Sequence, residues 1–422
     1  MGKFALAVTA ILGLLAGALV SQGATPSSAA ATCSPKVYVT NNLTLGSVSV
    51  VNVADGAVST ISIGDHPIGV AITPDGTKAY VANNYGNTVS VINVATGAAS
   101  TISTGIGNGP DGVAITPDGT KAYVTSFTDS TVSVIAVASD AVIGSPIGIG
   151  DSPTGVAITP DGTKAYVANT GSTTVSVIDV ATGSVSTIGV GTRPAGVAIT
   201  PDGTKAYVAN TGSDNVSVID VATGSVSTIF VGTSPTGVAI TPDGTKACVA
   251  NSDGNTVSVI NVATGSVSTI SDFAVGLFPT AVAITPDGTK AYVTGASSTK
   301  LSVINVATGS VSDDIIVGGQ SKGVAITPCA LLSQTVSADG RTVTVSGSQY
   351  APASTVTVSI TSTPLTLGTV TVASNGTFSK SFTVPCTVEA GAHTITATAG
   401  SGLRASTPVT LDACAVTLRF TG

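Results

Sequence analysis

The sequence has no Trp, little charge and only two histidines, and each shortage narrows the chemistry that it can support. Of its 422 residues, 9% are charged and 4% are aromatic. The net charge is −7 and no basic cluster is present, so we expect no nucleic-acid partner held through its phosphates. Because His66 and His393 are the only histidines, a His-rich metal site is excluded and a Ser–His–Asp arrangement would have to use His66.

Helical periodicity and long apolar runs are also missing after the first twenty residues. Val, Thr and Gly are abundant instead, which predicts an all-β protein. Residues 1–31 are predicted to be a signal peptide, because Lys3 precedes an apolar stretch over residues 4–20 and residues 29–31 offer a small-residue cleavage site. An uncleaved membrane anchor is the alternative. We expect a secreted or cell-surface protein with no stable membrane span after cleavage of the signal.

A repeat of about 42 residues fills most of the chain. One marker is the Tyr of KAYV, which recurs at Tyr38, Tyr80, Tyr123, Tyr166, Tyr207 and Tyr292, with Cys248 in the same slot. A second marker is the Gly of GVAIT, which recurs at Gly69, Gly112, Gly155, Gly196, Gly237 and Gly323, with Ala281 in the same slot. Each kind of marker occurs seven times, and each repeat has four strand signals. A repeat of this length with four strands is typical of a propeller blade.

The repeat is incomplete at both ends, and this predicts how the array closes. The first repeat lacks the GVAIT strand, and residues 323–328 supply that strand with no repeat after it. The fold class expected is therefore all-β, with a seven-bladed β-propeller over residues 32–329 that is closed by N- and C-terminal strands in one blade. Closure hides two sheet edges that an open array would expose.

The cysteines fit the same prediction. Cys33 and Cys329 both align with the Asp of the TPDGT turn, one on each side of the gap in the closing repeat, so we expect a disulfide between them. Two unrelated surface thiols are the alternative. Cys386 and Cys414 are expected to pair with each other, with intermolecular bonding as the alternative. Cys248 replaces a repeated Tyr on a strand and is interpreted as a buried, inert thiol.

The repeat resembles the YVTN-type β-propeller family of secreted and surface-layer proteins. The stretches that carry the resemblance are YVTNN at Tyr38, YVANN at Tyr80, the TPDGTK turns and the VINVATG strands, and it covers about residues 36–328. The resemblance implies a propeller fold. For function it implies little, because that family includes surface proteins, binding proteins and distant relatives with lactonase or lyase activity.

A different pattern begins near residue 330. Seven short strand signals follow, among them RTVTVSG, STVTVSI and HTITAT, and they predict a β-sandwich over residues 330–422. The stretches GSQYAPASTVTVSI and GAHTITA resemble bacterial Ig-like surface domains, so an Ig-like β-sandwich is expected after the propeller.

Candidate ligand-binding positions are those at which the repeats differ. The loops that lead into the GVAIT strands vary on both sides of a recurring Pro, and by propeller geometry they ring one mouth of the central channel. A small polar binding site there would use His66, Asp111, Arg193, Phe278 and Lys322. Ordinary loop variation on an exposed rim is the alternative. The repeated Asp and Lys of the TPDGTK turns are interpreted as turn chemistry and solvation.

The function predicted first is a non-enzymatic propeller that presents a rim for protein or glycan at the cell surface. We expect no catalytic residues, no metal site and no cofactor, since neither a phosphate-binding Gly-rich loop nor metal-ligand spacing is found. The alternatives are a propeller hydrolase, lactonase or lyase that acts at the channel mouth, and a purely structural envelope component.

Overall fold

The computed structural model consists of strands and turns, with no helix among the residues that it describes. These residues are 35–271, 277–329, 331–337, 339–348, 350, 355–360, 365–373, 377–399 and 404–413. Within them, accordingly, no helix with the length and apolar character of a membrane span is found.

The described strands up to residue 326 form seven four-stranded sheets. Sheet 1 contains β1 (Lys36–Asn41), β2 (Ser47–Asn52) and β3 (Val58–Ser62). Sheet 2 contains β4 (Pro67–Ile72), β5 (Lys78–Asn83), β6 (Thr88–Asn93) and β7 (Ala99–Ile102). Sheet 3 contains β8 (Pro110–Ile115), β9 (Lys121–Ser126), β10 (Thr131–Ala136) and β11 (Ala141–Gly148). Sheet 4 contains β12 (Pro153–Ile158), β13 (Lys164–Asn169), β14 (Thr174–Asp179) and β15 (Val185–Gly189).

The remaining sheets of this series have the same order. Sheet 5 contains β16 (Pro194–Ile199), β17 (Lys205–Asn210), β18 (Asn215–Asp220) and β19 (Val226–Phe230). Sheet 6 contains β20 (Pro235–Ile240), β21 (Lys246–Asn251), β22 (Thr256–Asn261) and β23 (Val267–Ile270). Sheet 7 contains β24 (Pro279–Ile284), β25 (Lys290–Gly295), β26 (Lys300–Asn305) and β27 (Val311–Ile316). The last strand of the series is β28 (Ser321–Ile326), which completes sheet 1.

The two ends of the repeat array meet in sheet 1. Strand β28 pairs antiparallel with β1, with Val37 opposite Ile326 and Val39 opposite Val324. The backbone N–H of Lys36 donates to Thr327 Oγ1 at 2.8 Å across this junction. Sheet 1 thus receives its first strand from the end of the array, which is the pairing that the incomplete terminal repeats predict.

The inner strands form a closed cycle around a central channel. The strands β28, β4, β8, β12, β16, β20 and β24 contact one another in that order, and β24 contacts β28 again. The repeated Gly of GVAIT permits this approach: a Cβ on Gly69 would lie 2.2 Å from the carbonyl oxygen of Asp111 in the next inner strand. At the closing strand, a Cβ on Gly323 would lie 2.1 Å from the oxygen of Ile68. At these six positions only glycine allows the backbones to come so close, whereas sheet 7 has Ala281 in the same slot.

Each sheet packs face to face against the next through its two central strands. In β5, for example, Ala79, Tyr80, Val81 and Ala82 are all 0% exposed, because the sheet is covered on both sides. The ring of Tyr80 packs with Ala122, Val124 and Ile135 of sheet 3. The outermost strands are largely exposed.

The Asn that ends the YVTN and YVAN signature has a structural role. The amide Nδ2 of Asn83 donates to Thr88 Oγ1 at 3.0 Å and to Ser90 Oγ at 2.9 Å. Its side chain also packs against Gly64, where a Cβ would lie 2.6 Å from Nδ2. The same amide-to-hydroxyl bond recurs at Asn41, Asn169, Asn210 and Asn251. The signature therefore fixes the loop that leads into the inner strand.

The turns at the opposite end confirm the role given to Asp and correct the role given to Lys. Burial alone would raise the pKa of Asp75, but hydrogen bonds from Thr73 and Thr77 outweigh it and hold this pKa below its ordinary value. Two of the repeated lysines are not simply solvated. Lys78 Nζ bonds the Asp140 carboxylate at 2.8 Å in sheet 3, and Lys246 Nζ donates to the Val306 carbonyl at 2.8 Å in sheet 7. These lysines link neighbouring sheets.

The chain after residue 330 forms two further sheets. Sheet 8 contains β29 (Leu331–Val336), β30 (Thr342–Ser348) and β33 (Phe378–Thr383). Sheet 9 contains β31 (Thr355–Ile360), β32 (Leu365–Thr371), β34 (Gly391–Ala399) and β35 (Arg404–Leu411). Both contribute to one apolar core, with Val343, Val345 and Phe382 from sheet 8 and Val358 and Ile395 from sheet 9. The described part of this segment is a β-sandwich.

Three of the cysteines lie among the described residues. Cys329 and Cys386 each take part in a disulfide bond, and Cys248 is a free, buried thiol. The predicted partners Cys33 and Cys414 lie outside the described residues, so the two pairings stay predictions. The predicted signal peptide, residues 1–31, lies outside them as well.

Closure through β28 generates the first prediction. A chain that ends after Gln320 lacks β28, whereas a chain that ends after Cys329 retains it. We expect the shorter chain to lose about 3–6 kcal/mol in free energy of unfolding, because burial of Val324 and Ile326 is lost and β1 becomes an exposed edge. Urea unfolding followed by circular dichroism measures this. Equal stability of the two chains would contradict a role for β28 in closing the ring.

Candidate functional site

Two sets of loops form one face of the ring, which we call the loop face. It consists of the loops that precede the inner strands and the loops between the second and third strands of each sheet. Backbone hydrogen bonds join the two sets, for example from Asn84 N to the His66 oxygen at 3.0 Å and from Ala296 N to the Phe278 oxygen at 2.9 Å. Side chains of both sets therefore lie side by side on this face.

Three of the predicted site residues occupy one backbone slot on the loop face. His66, Arg193 and Phe278 have φ values of 51°, 52° and 54°, in the left-handed region. Such a conformation costs on the order of 1 kcal/mol for a residue other than Gly. The slot has the same conformation in the other repeats, where it holds Gly109, Ser152, Ser234 and Gln320. The strain is thus a property of the fold and does not mark these three residues as functional.

An arc of exposed apolar side chains lies on one side of the loop face. The exposed fractions are 39% for Leu43, 88% for Leu45, 73% for Tyr85, 40% for Phe127, 55% for Leu277 and 43% for Phe278. We call these six residues the apolar arc. They belong to sheets 7, 1, 2 and 3, which are consecutive around the ring. The second-to-third-strand loops of sheets 4, 5 and 6 contain only Thr, Gly, Ser, Asp and Asn.

Tyr85 is the most exposed aromatic side chain of the arc, and His66 supports it. The two ring centroids are 4.3 Å apart and the rings meet edge to face. This geometry is favourable for aromatic pairs and holds one face of the phenol ring in place. The role that the structure shows for His66 on the loop face is thus to pack against Tyr85.

The central channel holds the other two predicted residues. A cavity of about 450 Å³ is lined by the inner strands, including Asp111 and Lys322. Thr154 and Thr236 line it too, but their hydroxyls are engaged with Thr170 Oγ1 at 2.7 Å and with the Pro279 carbonyl at 3.2 Å. Asp111 and Lys322 are the charged groups that line this cavity.

Asp111 is in an unusual electrostatic position. Burial raises its pKa to about 7, and Lys322 opposes that rise through its positive charge. No salt bridge joins Asp111 and Lys322 in the part of the chain that the structure describes. A carboxyl group with a pKa near neutrality can exchange a proton with a ligand at physiological pH.

The structure divides the five predicted residues into two groups. Asp111 and Lys322 line the channel, while His66, Arg193 and Phe278 lie on the loop face and do not line the cavity. The apolar arc was missed in the sequence, apart from Phe278. Its signal was present, because Tyr85 and Phe127 stand in loops where other repeats carry small polar residues.

No group of three or more His, Cys, Asp or Glu side chains suited to a metal ion occurs among the described residues. The cavity has one carboxylate and one ammonium group, which together are not a typical ligand set for a divalent cation.

The sequence model of the YNCE-like β-propeller family matches residues 2–330. No curated protein matches the chain.

Many solved structures are similar. One is a protein of unknown function from Desulfotomaculum acetoxidans, with a TM-score of 0.60 and 20% identity over 70% of this chain and 99% of that one. A proposed 6-phosphogluconolactonase from Bacteroides fragilis has a TM-score of 0.59 and 18% identity over 70% and 99%. Virginiamycin B lyase from Staphylococcus aureus has a TM-score of 0.53 and 15% identity over 66% and 90%. At these identities the similarities confirm the β-propeller fold alone.

The raised pKa of Asp111 generates a prediction about stability. In an unfolded chain this carboxyl titrates near a pKa of about 3.9, whereas in the folded protein its pKa is about 7. Between about pH 4 and pH 7 the carboxyl of Asp111 is ionised in the unfolded chain but still largely protonated in the folded protein. Asp111 therefore lowers the free energy of unfolding progressively as the pH rises through this range. It has no such effect at lower pH, where the carboxyl is protonated in both states. We expect Asp111→Asn to raise the free energy of unfolding at pH 8 by up to about 4 kcal/mol, and by less than about 1 kcal/mol at pH 4, where the unfolded carboxyl is only half ionised.

Urea unfolding of both proteins between pH 4 and pH 8 measures the difference. The exposed turn residue Asp55 provides a matched control, since Asp55→Asn makes the same change of side chain outside the channel. A difference for Asp111→Asn that is constant with pH would show that its carboxyl group is not desolvated in the folded state.

Proposed function

The chain belongs to the YNCE-like β-propeller family, and from that premise we propose that it is a non-enzymatic binding protein whose loop face engages a partner at the cell surface. The apolar arc supports this proposal. Large side chains that are exposed on neighbouring sheets mark interaction sites in soluble proteins. In a sequence with 4% aromatic residues, two exposed Phe and one exposed Tyr in such a group are a marked local enrichment.

The proposal includes an architecture that suits this role. The seven sheets act as blades of a closed propeller of YVTN type over residues 32–329. Residues 1–31 act as an export signal, so that the mature protein is secreted or held at the cell surface. Disulfides pair Cys33 with Cys329 and Cys386 with Cys414. The β-sandwich, residues 330–422, is an Ig-like spacer or docking module.

The composition of the arc favours a protein partner over a glycan. Tyr and Phe are enriched at the centres of protein interfaces and contribute most of their binding energy. Leu43, Leu45 and Leu277 add aliphatic surface, which gains most when it contacts apolar side chains of another protein. A glycan partner, bound mainly through Tyr85 and its neighbouring amides, is the competing form of the proposal.

A second candidate function rests on the channel. Asp111 has a pKa of about 7 and faces a cavity, so a hydrolase, lactonase or lyase could use it as general acid or base. The similarity of fold to a proposed lactonase and to a lyase is consistent with this candidate. It ranks second because the cavity lining has no second carboxylate, and the hydroxyls of Thr154 and Thr236 are already hydrogen-bonded within the protein.

A binding screen with matched variants tests the first proposal. The mature protein is screened against bacterial surface proteins and glycans, and each hit is measured again with Tyr85→Ser, Phe127→Ser. We expect this double variant to bind at least about tenfold more weakly, since interface aromatics each contribute on the order of 1–2 kcal/mol. Phe230→Ser is the control, because Phe230 is 75% exposed but lies outside the arc, on the outer strand of sheet 5.

Three other results would point elsewhere. Binding that the arc variant retains but Arg193→Ser loses would move the site to sheets 4 to 6. Hydrolysis of simple lactones that Asp111→Asn abolishes would favour the enzyme candidate. Self-assembly without any saturable ligand would favour a structural envelope component.

A further inference from the structure

One slot between neighbouring sheets is filled by a tyrosine ring in six repeats and by a cysteine in the seventh. Each ring packs into the core shared with the following sheet, as the rings of Tyr207 and Tyr292 do. Cys248 occupies this slot in sheet 6 and packs with Ala291 and Val293 of sheet 7. A thiol is much smaller than a phenol, so packing atoms are missing between sheets 6 and 7.

The missing ring leaves the valine that pairs with this slot, on the third strand of the sheet, more exposed. In the repeats with a tyrosine, the facing Val is at most 9% exposed, as at Val50, Val91, Val134, Val177, Val218 and Val303. Val259 faces Cys248 in the same register and is only half-buried. The difference lies in the one repeat that lacks the ring.

A cavity of about 550 Å³ adjoins this position and includes Val259 in its lining, whereas Cys248, Ala291 and Val293 do not line it. It is lined from sheet 6 by Lys246, Val259, Asn261 and residues 266–271, and from sheet 7 by residues 306–309. Cys248 itself is 2% exposed, and burial raises the pKa of its thiol to about 11, so it forms a neutral, unreactive part of the surrounding core.

Sheet 2 shows where the phenol oxygen would lie in such a slot. Tyr80 donates its hydroxyl to Asp140, which stands at the turn between the third and fourth strands of sheet 3. Lys78 Nζ binds the same carboxylate at 2.8 Å, so the phenol oxygen and the lysine are neighbours. The equivalent groups in the cavity are Gly309 at the turn and Lys246 from the adjacent strand. One end of the cavity is therefore polar and carries an ammonium donor.

We propose that the cavity between sheets 6 and 7 binds a small para-substituted phenol, whose ring takes the place that a tyrosine ring occupies between the other sheets. The ring packs on Val259 and Ile270, and the hydroxyl lies at the polar end beside Lys246. The occupant is a free small molecule. Its chemistry is read from the six repeats in which the protein supplies the same ring itself.

The test uses p-cresol, which is the tyrosine side chain without its backbone, and the full chain. Isothermal titration should show about one p-cresol per chain, and saturating p-cresol should raise the melting temperature by mass action. Toluene, which lacks the hydroxyl, should bind more weakly. Equal binding of toluene would overturn the assigned role of the polar end.

Variants at the slot decide whether the cavity is the site. Cys248→Tyr should fill the cavity, raise the melting temperature without ligand and weaken p-cresol binding at least about tenfold. Cys248→Ser keeps the space and should retain binding. Tyr207→Cys should open a second site and raise the stoichiometry towards two. If Cys248→Tyr does not fold, Val259→Phe fills the same space from the opposite strand.

Three outcomes would overturn the proposal. The first is failure of p-cresol to bind, and the second is p-cresol binding that survives both cavity-filling changes. The third is binding of N-acetyl-tyrosinamide in the absence of p-cresol binding, which would assign the cavity to a tyrosine of a protein partner.

Discussion

Backbone contact between neighbouring inner strands is the constraint on which the rest of the molecule depends. Gly69 and its counterparts bring six of the seven inner strands against the carbonyl groups of the next, and the cycle returns to its start because β28 pairs with β1. The approach sets the width of the channel. It also places the variable loops side by side on one face of the ring.

Near-identity of the repeats makes each deviation informative. Positions that hold the fold recur, such as the Asn that bonds a Ser hydroxyl and the Asp that caps a turn. Deviations fall into separate places: Tyr85 and Phe127 on the loop face, Asp111 and Lys322 in the channel, and Cys248 between two sheets. Each place offers a different chemistry, and none of them is required for the ring to form.

Most of the architecture could be predicted from the sequence, because a period of about 42 residues and two half-repeats leave few other arrangements. The same alignment predicted Asp111 and Lys322 at the channel mouth together with His66, Arg193 and Phe278, but it did not predict that these two alone line the cavity. The positive φ of His66, Arg193 and Phe278 could not be read from it, since the slot accepts Gly, Ser, Gln and bulky residues alike. The reach of Lys78 to Asp140 in the next sheet also needed coordinates, because the repeat pattern does not show which groups face each other between sheets.

The junction in sheet 1 determines at which face of the ring the chain enters and leaves it. Lys36 and Thr327 bond each other at the turn end of that sheet, whereas Asn42 bonds Gln320 at its loop end. The polypeptide thus enters and leaves the ring on the side that faces away from the apolar arc. Any segment joined to the ring through its termini is therefore attached at the turn end. The points of attachment leave the loop face, which is proposed to bind a partner, unobstructed.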